Sequence, residues 1–448
     1  MKVHFIGIGG IGMSGIAHLL HEMGHEISGS DIEKSVITQN LSSKGIKIFF
    51  GHSKFNVKGV NLVVVSSAIG KENCELKESL KRKIPVKKRA EMLAEIAAQK
   101  KTITISGSHG KTTTASMISS IFAAWEKDYT AVVGGIFKNI GSNVKTGGGE
   151  YFICEADESD SSFLYFSPLV ACVTSVDDDH LDHYKSMLNL KESFIKHINK
   201  VPFYGRAILC LDDEGVFSII RRIDAPVYTY GIACSRADWL AKNIQIDASG
   251  SCFDVFFKGA KMGRVEMSVC GRHNVLNALC SAAASHYLGV NFKAICKGLK
   301  DFKGVKRRLE EFAVVRGVRF IDDYAHHPTE IKNVISAVKE MHASKRVVVL
   351  FQPHRYTRTE LLARQIAAAL SRADLIYLMN IYPAGEKPIK GIDSSLILKH
   401  INGTKSEMFA NTFHVAKNLC RGDVFISMGA GDVWKSGEEV KLRFEMLG

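Results

Sequence analysis

Short apolar runs alternate with longer amphipathic stretches along the chain, and most of the runs end at glycine or a polar cluster. Near the start, Val3–Ile8 predicts a buried strand, Gly10–Glu22 a helix, Glu26–Ser30 a second strand and Leu62–Ser66 a further one. After an Ala-rich helix over Arg89–Gln99, strands are predicted at Thr102–Ile105, Tyr151–Cys154 and Leu169–Thr174. β-like runs at Cys252–Phe257 and Val265–Val269 and a helix over Asn274–Tyr287 follow. A third stretch opens with one strand over Val314–Ile321. It continues with a helix at Pro328–Met341, a strand at Val347–Phe351, a helix at Glu360–Leu370 and strands at Leu375–Met379 and Val424–Ser427. Strands alternating with helices predict parallel, doubly wound α/β sheets. Cuts near residues 99 and 310 divide the chain into domains 1–98, 99–309 and 310–448.

Composition narrows the classes open to such a chain. With 448 residues, 46% apolar and 23% charged, it has material for several cores, which excludes low-complexity disorder and small disulfide scaffolds. No apolar run reaches the ~18–20 residues of a membrane helix, and Lys2 leads straight into a strand and a glycine cluster, so a cytoplasmic, unexported protein is expected. The ten cysteines are scattered without a C-x-x-C pair and read as reduced core thiols. A net charge of +13 favours anionic partners without choosing among them. The densest basic run, Lys81-Arg82-Lys83 then Lys87-Lys88-Arg89, lacks interleaved aromatics and reads as a solvated helix end and linker, not a nucleic-acid patch.

Several local patterns carry chemistry. Gly7-Ile8-Gly9-Gly10-Ile11-Gly12 is G-x-G-x-x-G between a strand and a helix, where backbone amides meet a pyrophosphate. Asp31, 19 residues beyond Gly12, stands where a ribose hydroxyl is often bound. The motif alone fits NAD(P) or any other nucleoside diphosphate. Gly107-Ser108-His109-Gly110-Lys111-Thr112-Thr113-Thr114 also joins a strand to a helix. It predicts a triphosphate loop in which the Lys111 ammonium reaches the β- and γ-phosphates and the Thr112 hydroxyl a magnesium ion. Glu155-Ala156-Asp157-Glu158-Ser159-Asp160 and Asp177-Asp178-Asp179-His180-Leu181-Asp182-His183 each follow a strand. Carboxylates so crowded repel one another unless a divalent cation joins them. Asn274, in Gly271-Arg272-His273-Asn274, reads either as a contact to a base edge or as a helix cap. The Asp322–Thr329 and Phe351–Thr359 strings form an Arg/His-rich edge suited to a carboxylate ligand, or a solvated loop.

Together these strings resemble the Mur ligases, the amino-acid-adding enzymes of peptidoglycan synthesis, over essentially the whole chain. His4–Gly15, Gly107–Thr114, Glu155–Asp160, His180, Asp322–Glu330 and Phe351–Thr359 carry the resemblance. The Phe-Gln-Pro-His-Arg-Tyr-Thr-Arg string and the N-terminal glycines point to the alanine-adding branch; a murein tripeptide ligase of cell-wall recycling is the alternative. The resemblance implies a Rossmann-like UDP-binding domain, a central P-loop ATPase-type domain and a Rossmann-like C-terminal domain. It further implies an ATP-dependent ligase that joins L-alanine to the lactyl carboxylate of UDP-N-acetylmuramate through an acyl phosphate.

Carried over by position, Gly7, Gly9, Gly10, Ile11, Gly12 and Asp31 would hold the UDP-sugar. Gly107 through Thr113, Asn274, Arg308 and Asp322 would hold ATP. Arg307 competes with Arg308 for that role, and Asp323 with Asp322. Thr112, Glu155 and His180 would bind Mg²⁺, while Tyr324, His354, Arg355 and Arg358 would surround alanine. Lys111, Glu155, His180 and His354 would act in catalysis, with His180 or His354 as the base. Neither nucleic acid nor membrane insertion is implied, and a monomer or homodimer is expected.

Overall fold

In the computed structural model, the run that opens the chain is the central strand of its first sheet. Lys2–Ile6 lies between Glu26–Asp31 and Leu62–Val65, with Lys47–Phe50 and Val86–Lys88 outside them, all parallel. The structure describes residues 1–447; the side chain of Asp182, counted above with the second acidic cluster, lies outside the described residues. Parallel strands need crossovers, and the helices Ile11–Glu22, Val36–Ser43 and Cys74–Lys81 supply them. Phe5, Ile8, Ile16, Leu20, Ile27 and Val64 pack with Met92, Leu93 and Ile96 of the helix Arg89–Ala97. The basic stretch expected to be a linker is in part the edge strand Val86–Lys88, with Lys87 paired to Glu95 at 2.6 Å. A lysine-bearing edge suits a sheet margin, because it resists pairing with another chain.

Two compact units account for the chain. One comprises residues 1–240, 256–260 and 278–299; the other comprises 241–255, 261–277 and the chain from Lys300 onward. The first holds the N-terminal sheet and a second sheet in which Val227–Gly231, Arg206–Cys210, Val170–Val173, Lys101–Ser106, Tyr151–Glu155, Tyr129–Phe137 and Ser142–Lys145 lie in that order. Only the last pair among these is antiparallel. Cys154, Cys172, Cys210 and Cys280 are buried as small hydrophobes, whereas Cys74 and Cys420 are exposed. No helix among the described residues is long and apolar enough to cross a membrane.

The second unit contains a six-stranded sheet ordered Glu310–Val315, Val318–Asp323, Val424–Met428, Val347–Phe351, Leu375–Leu378, Lys405–Met408. Here the expected single strand over Val314–Ile321 is instead two antiparallel strands. The chain reverses at Arg316-Gly317, both with positive φ (50° and 84°), as a two-residue hairpin turn requires. Apolar residues crowd both sides of the turn and only Arg316-Gly317 separates them, so the two runs read as one. Helices Pro328–Met341 and Tyr356–Leu370 cover one face of this sheet, and Val433–Met446 packs on the other.

Candidate active site

Both glycine-rich loops leave the C-terminal end of a central parallel strand, the position at which open α/β sheets bind ligands. In the first loop the Gly7 and Ile8 amides donate to the Ser30 carbonyl at 2.8 and 3.0 Å, which turns the chain out of the sheet. Gly10 then starts the helix Ile11–Glu22 with no side-chain cap and no acidic residue in the first turn. Asp31, expected at a ribose, accepts from the Gly9 amide at 2.8 Å and from the Glu33 amide at 3.2 Å, so its carboxylate also braces the loop.

Behind that loop lies a network of polar groups that the motif does not announce. Buried Glu75 accepts from the Ser30 hydroxyl at 2.5 Å, the Ser53 amide at 3.2 Å and the Asn56 side chain at 2.5 Å. Ser53 and Asn56 meet Oε1, whereas the Oε2 that takes the Ser30 hydroxyl also lies 3.1 Å from His52 Nδ1 and 3.7 Å from His4 Nε2. Burial alone would raise this carboxyl, but contacts from His4, Ser30, Asn56 and Ser53 together outweigh it and hold it at about 2. A carboxyl depressed on folding stabilises the folded state above its unfolded pKa, near 4.3, and loses that contribution as pH falls toward 2. Glu75→Gln is therefore expected to cost about 3 kcal/mol at neutral pH and to flatten the loss of stability between pH 5 and 2. Urea denaturation at stepped pH checks this; parallel curves for the two proteins would count against it.

The second loop is built more tightly. Gly107 has φ 125°, and a Cβ there would lie 2.3 Å from Thr174 Oγ1. The Ser108 amide donates to the Ser175 carbonyl at 3.1 Å, and the His109 amide to Ser175 Oγ at 2.9 Å. The His109 ring lies 2.9 Å from Asp177. Gly110, at φ 83°, sets up the helix Lys111–Ala124, whose first turn carries Thr112 and Thr113. Lys111 Nζ donates to the Gly107 carbonyl at 2.6 Å and to Glu158 Oε1 at 2.7 Å. Burial works against the ammonium charge, yet the carboxylates of Glu158, Asp157 and Glu155 outweigh it and raise the pKa of Lys111. Burial lifts Glu158 above the ordinary carboxylate range while Lys111 pulls it down.

Thr112 Oγ1 lies 3.0 Å from both oxygens of Glu155, which also accepts from the Gly134 amide at 2.6 Å. His180, with φ 60°, sits 3.9 Å from Glu158 Oε1 and 3.5 Å from Asp179 Oδ2. Lys111 and His180 thus meet at Glu158, and Thr112 meets Glu155; Glu158 stood in the expected acidic cluster without a role of its own. Hard carboxylate and hydroxyl oxygens arranged in this way match the preference of Mg²⁺.

The second unit presents its own edge. Asn274 does not cap its helix; it lies within the first turn of Arg272–Tyr287 and donates to the Cys270 carbonyl at 2.8 Å. Arg307 and Asp322 pair with each other at 2.8 Å. Arg307 also donates to the carbonyls of Gly429 and Gly431, and Ser427 Oγ donates to Asp322 Oδ1 at 2.7 Å. Both oxygens of Asp322 are thereby engaged inside the unit, as are those of Asp323 by the Leu309 and Ala325 amides. Arg308 lies 3.5 Å from Glu330. His354 stacks on Tyr382 at 5.8 Å, faces His326 at 5.6 Å and sits 3.3 Å from Arg358. Tyr324 stands beneath the guanidiniums of Arg307 and Arg308 and against His326. Arg355, at φ 70°, opens the helix Tyr356–Leu370 and reaches toward Glu386. Tyr382 joins this cluster unannounced, through an isolated parallel bridge to His354 beyond the ends of the strands, and His326 comes from the Asp322–Thr329 string without having been given a role.

Two nucleotide-type loops, a lysine held among carboxylates and an Arg/His/Tyr edge describe an enzyme that activates an acid with a nucleoside triphosphate. Three family profiles divide the chain accordingly: the Mur ligase family catalytic domain over 2–101, the Mur ligase middle domain over 105–285, and the Mur ligase glutamate ligase domain over 307–431. The chain belongs to the Mur ligase family. Among its relatives, the UDP-N-acetylmuramate–L-alanine ligase of Endomicrobium trichonymphae is 47% identical over 441 residues, 98% of each chain. That of Dictyoglomus turgidum is 45% identical over 452 residues, covering 99% of this chain and 97% of its own. The crystal structure of the UDP-N-acetylmuramate–alanine ligase from Thermotoga maritima matches 100% of both chains with a TM-score of 0.83 at 28% identity. A murein peptide ligase from Psychrobacter arcticus shares the fold, with a TM-score of 0.73 at 23% identity.

Proposed function

We propose that this protein joins L-alanine to the lactyl carboxylate of UDP-N-acetylmuramate at the expense of ATP, an early step in building peptidoglycan in the cytoplasm. The observation that carries this reading is end-to-end identity of 42–47% with ligases named for that reaction. The three domains divide near residues 99 and 310. Gly7 through Gly12 receive the UDP diphosphate on backbone amides, and the Gly107–Thr113 loop receives the ATP polyphosphate. Thr112, Glu155 and His180 hold magnesium, which when bound neutralises phosphate charge.

A carboxylate resists attack by an amine because it would have to expel oxide. Transfer of the γ-phosphoryl to it gives an acyl phosphate; the alanine nitrogen then attacks the acyl carbon, and the tetrahedral intermediate expels inorganic phosphate. The first step sets one anion against another, and Lys111 offsets that repulsion at the transferring phosphoryl. In the second unit, Arg355 and Arg358 bind the alanine carboxylate through guanidinium forks, and Tyr324 and His354 shape the pocket. His354 or His180 takes the amine proton.

Oxygen-18 placed in the muramyl carboxylate is expected to appear in the released phosphate, one atom per turnover. Unlabelled phosphate would exclude the acyl phosphate. Running the same assay with L-alanine against a tripeptide acceptor separates this reading from the recycling ligase, which would favour the tripeptide.

A further inference from the structure

Phosphoryl transfer calls on Lys111, Thr112 and Glu155 but makes no use of Glu158, and a carboxylate in that position is costly to the fold. Glu158 is fully buried. Its Oε1 accepts from Lys111 Nζ at 2.7 Å, whereas Oε2 is buried without a hydrogen-bond partner among the described residues. A buried oxygen left unsatisfied destabilises, and an apolar side chain of similar volume would serve stability better than half a satisfied acid.

The two partners differ in freedom. The chain at Glu158 is pinned: its carbonyl accepts from the Tyr184 hydroxyl at 2.5 Å and from the Ser161 amide at 3.0 Å. Asp157 beside it takes the Ser159 amide on its carboxylate at 3.0 Å and the Phe163 amide on its carbonyl at 2.9 Å. Lys111, by contrast, carries its ammonium on a flexible four-carbon stem. That ammonium has three donors, and it directs them at the Gly107 carbonyl (2.6 Å), Glu158 (2.7 Å) and, less closely, the Ser108 carbonyl (3.5 Å). All three contacts lie within the protein, and Glu158 is the one that carries a charge. A polyphosphate can engage this lysine only by displacing one of them, so the carboxylate and the phosphates compete for the same ammonium.

We propose that Glu158 is a positioning residue that holds Lys111 off the phosphates and draws it back after each turnover, weakening polyphosphate binding and speeding ADP release; this rests on the reading of the Gly107–Thr113 loop as the triphosphate site. When ATP arrives, its β- and γ-phosphates take the ammonium, and the pinned carboxylate stays behind, buried and without its partner. That lost pairing is set against the new phosphate contacts, so ATP binds less tightly than the loop alone would allow. Once the γ-phosphoryl has left, ADP offers less charge, the lysine returns to Glu158, and the product is released. Glu158 touches no reacting atom and acts only through Lys111.

The test is Glu158→Gln in the full chain, which keeps the shape and an acceptor oxygen but removes the charge, with Glu158→Asp as the milder companion should the first melt early. ATP and ADP binding are followed by calorimetric titration, AMP by competition against turnover, and the first turnover by rapid quench. In Glu158→Gln, ATP and ADP are expected to bind about 10-fold more tightly. Steady-state kcat is expected to fall by about threefold or more as ADP release slows, while ADP formation in the first turnover stays within about threefold of wild type. AMP, which ends before the phosphates that meet Lys111, should bind with unchanged affinity. Glu158→Asp, whose carboxylate stands further from the ammonium, should fall between wild type and Glu158→Gln. A merely structural role predicts the opposite, a loosened pocket that binds all three nucleotides more weakly. ATP affinity unchanged or weakened in both variants, an equal tightening of AMP, or a first turnover slowed as much as the steady state would overturn the role of Glu158 while leaving the loop's role intact. A wild-type protein that fails to bind ATP at all would overturn the triphosphate reading and Glu158 with it.

Discussion

Lys111→Ala is expected to lower ADP release by about 10³-fold or more while UDP-N-acetylmuramate still binds with near wild-type affinity. The ammonium sits where the polyphosphate charge would be greatest, drawn in by Glu158 at 2.7 Å and by the Gly107 carbonyl at 2.6 Å. Alanine leaves the loop amides and Thr112 in place, so nucleotide binding weakens less than turnover does. The first glycine loop, on its own sheet, has no contact with the lysine among the described residues. Coupled ADP-release kinetics and calorimetric titration of the UDP-sugar check the two halves of this expectation separately. Full turnover in the variant would remove Lys111 from the reaction.

The second large effect concerns stability. Glu158→Ala leaves the Lys111 ammonium without its nearest carboxylate in a buried pocket, and breaking one side of a buried pair costs about 3–5 kcal/mol. Asp157 and Glu155 still act on Lys111, which places the expected loss near the lower bound. ATP supplies replacement negative charge at the same ammonium, so it should raise the melting temperature of the variant more than that of the wild type. Denaturant midpoints with and without ATP test both statements. Equal midpoints for the two ligand-free proteins would mean that Lys111 does not depend on Glu158.

Much of this is legible in the order of residues alone. The strands at Lys2–Ile6, Lys101–Ser106 and Val347–Phe351 and the helix Pro328–Met341 fall within a residue or two of their apolar runs. Periodicity failed at the Arg316-Gly317 hairpin, where two short apolar runs are parted by only two residues and only Gly317 hints at the reversal. Arg307 and Asp322 stood in the expected strings, but sequence gave no sign that they would engage each other and the carbonyls of Gly429 and Gly431.

What could be read from residue order was whatever contiguous backbone supplies: a strand, a glycine turn and a helix start bring their own amides to a phosphate within a dozen residues. Pairings across long separations belonged to the fold. Sheet order, set by which apolar faces bury one another, brings Glu158 to Lys111 across 47 positions, Glu75 to Ser30 across 45, and Arg89 onto Gly12. A charge's neighbours in space decide whether it is solvated, structural or aimed at a ligand, and local spacing does not encode those neighbours.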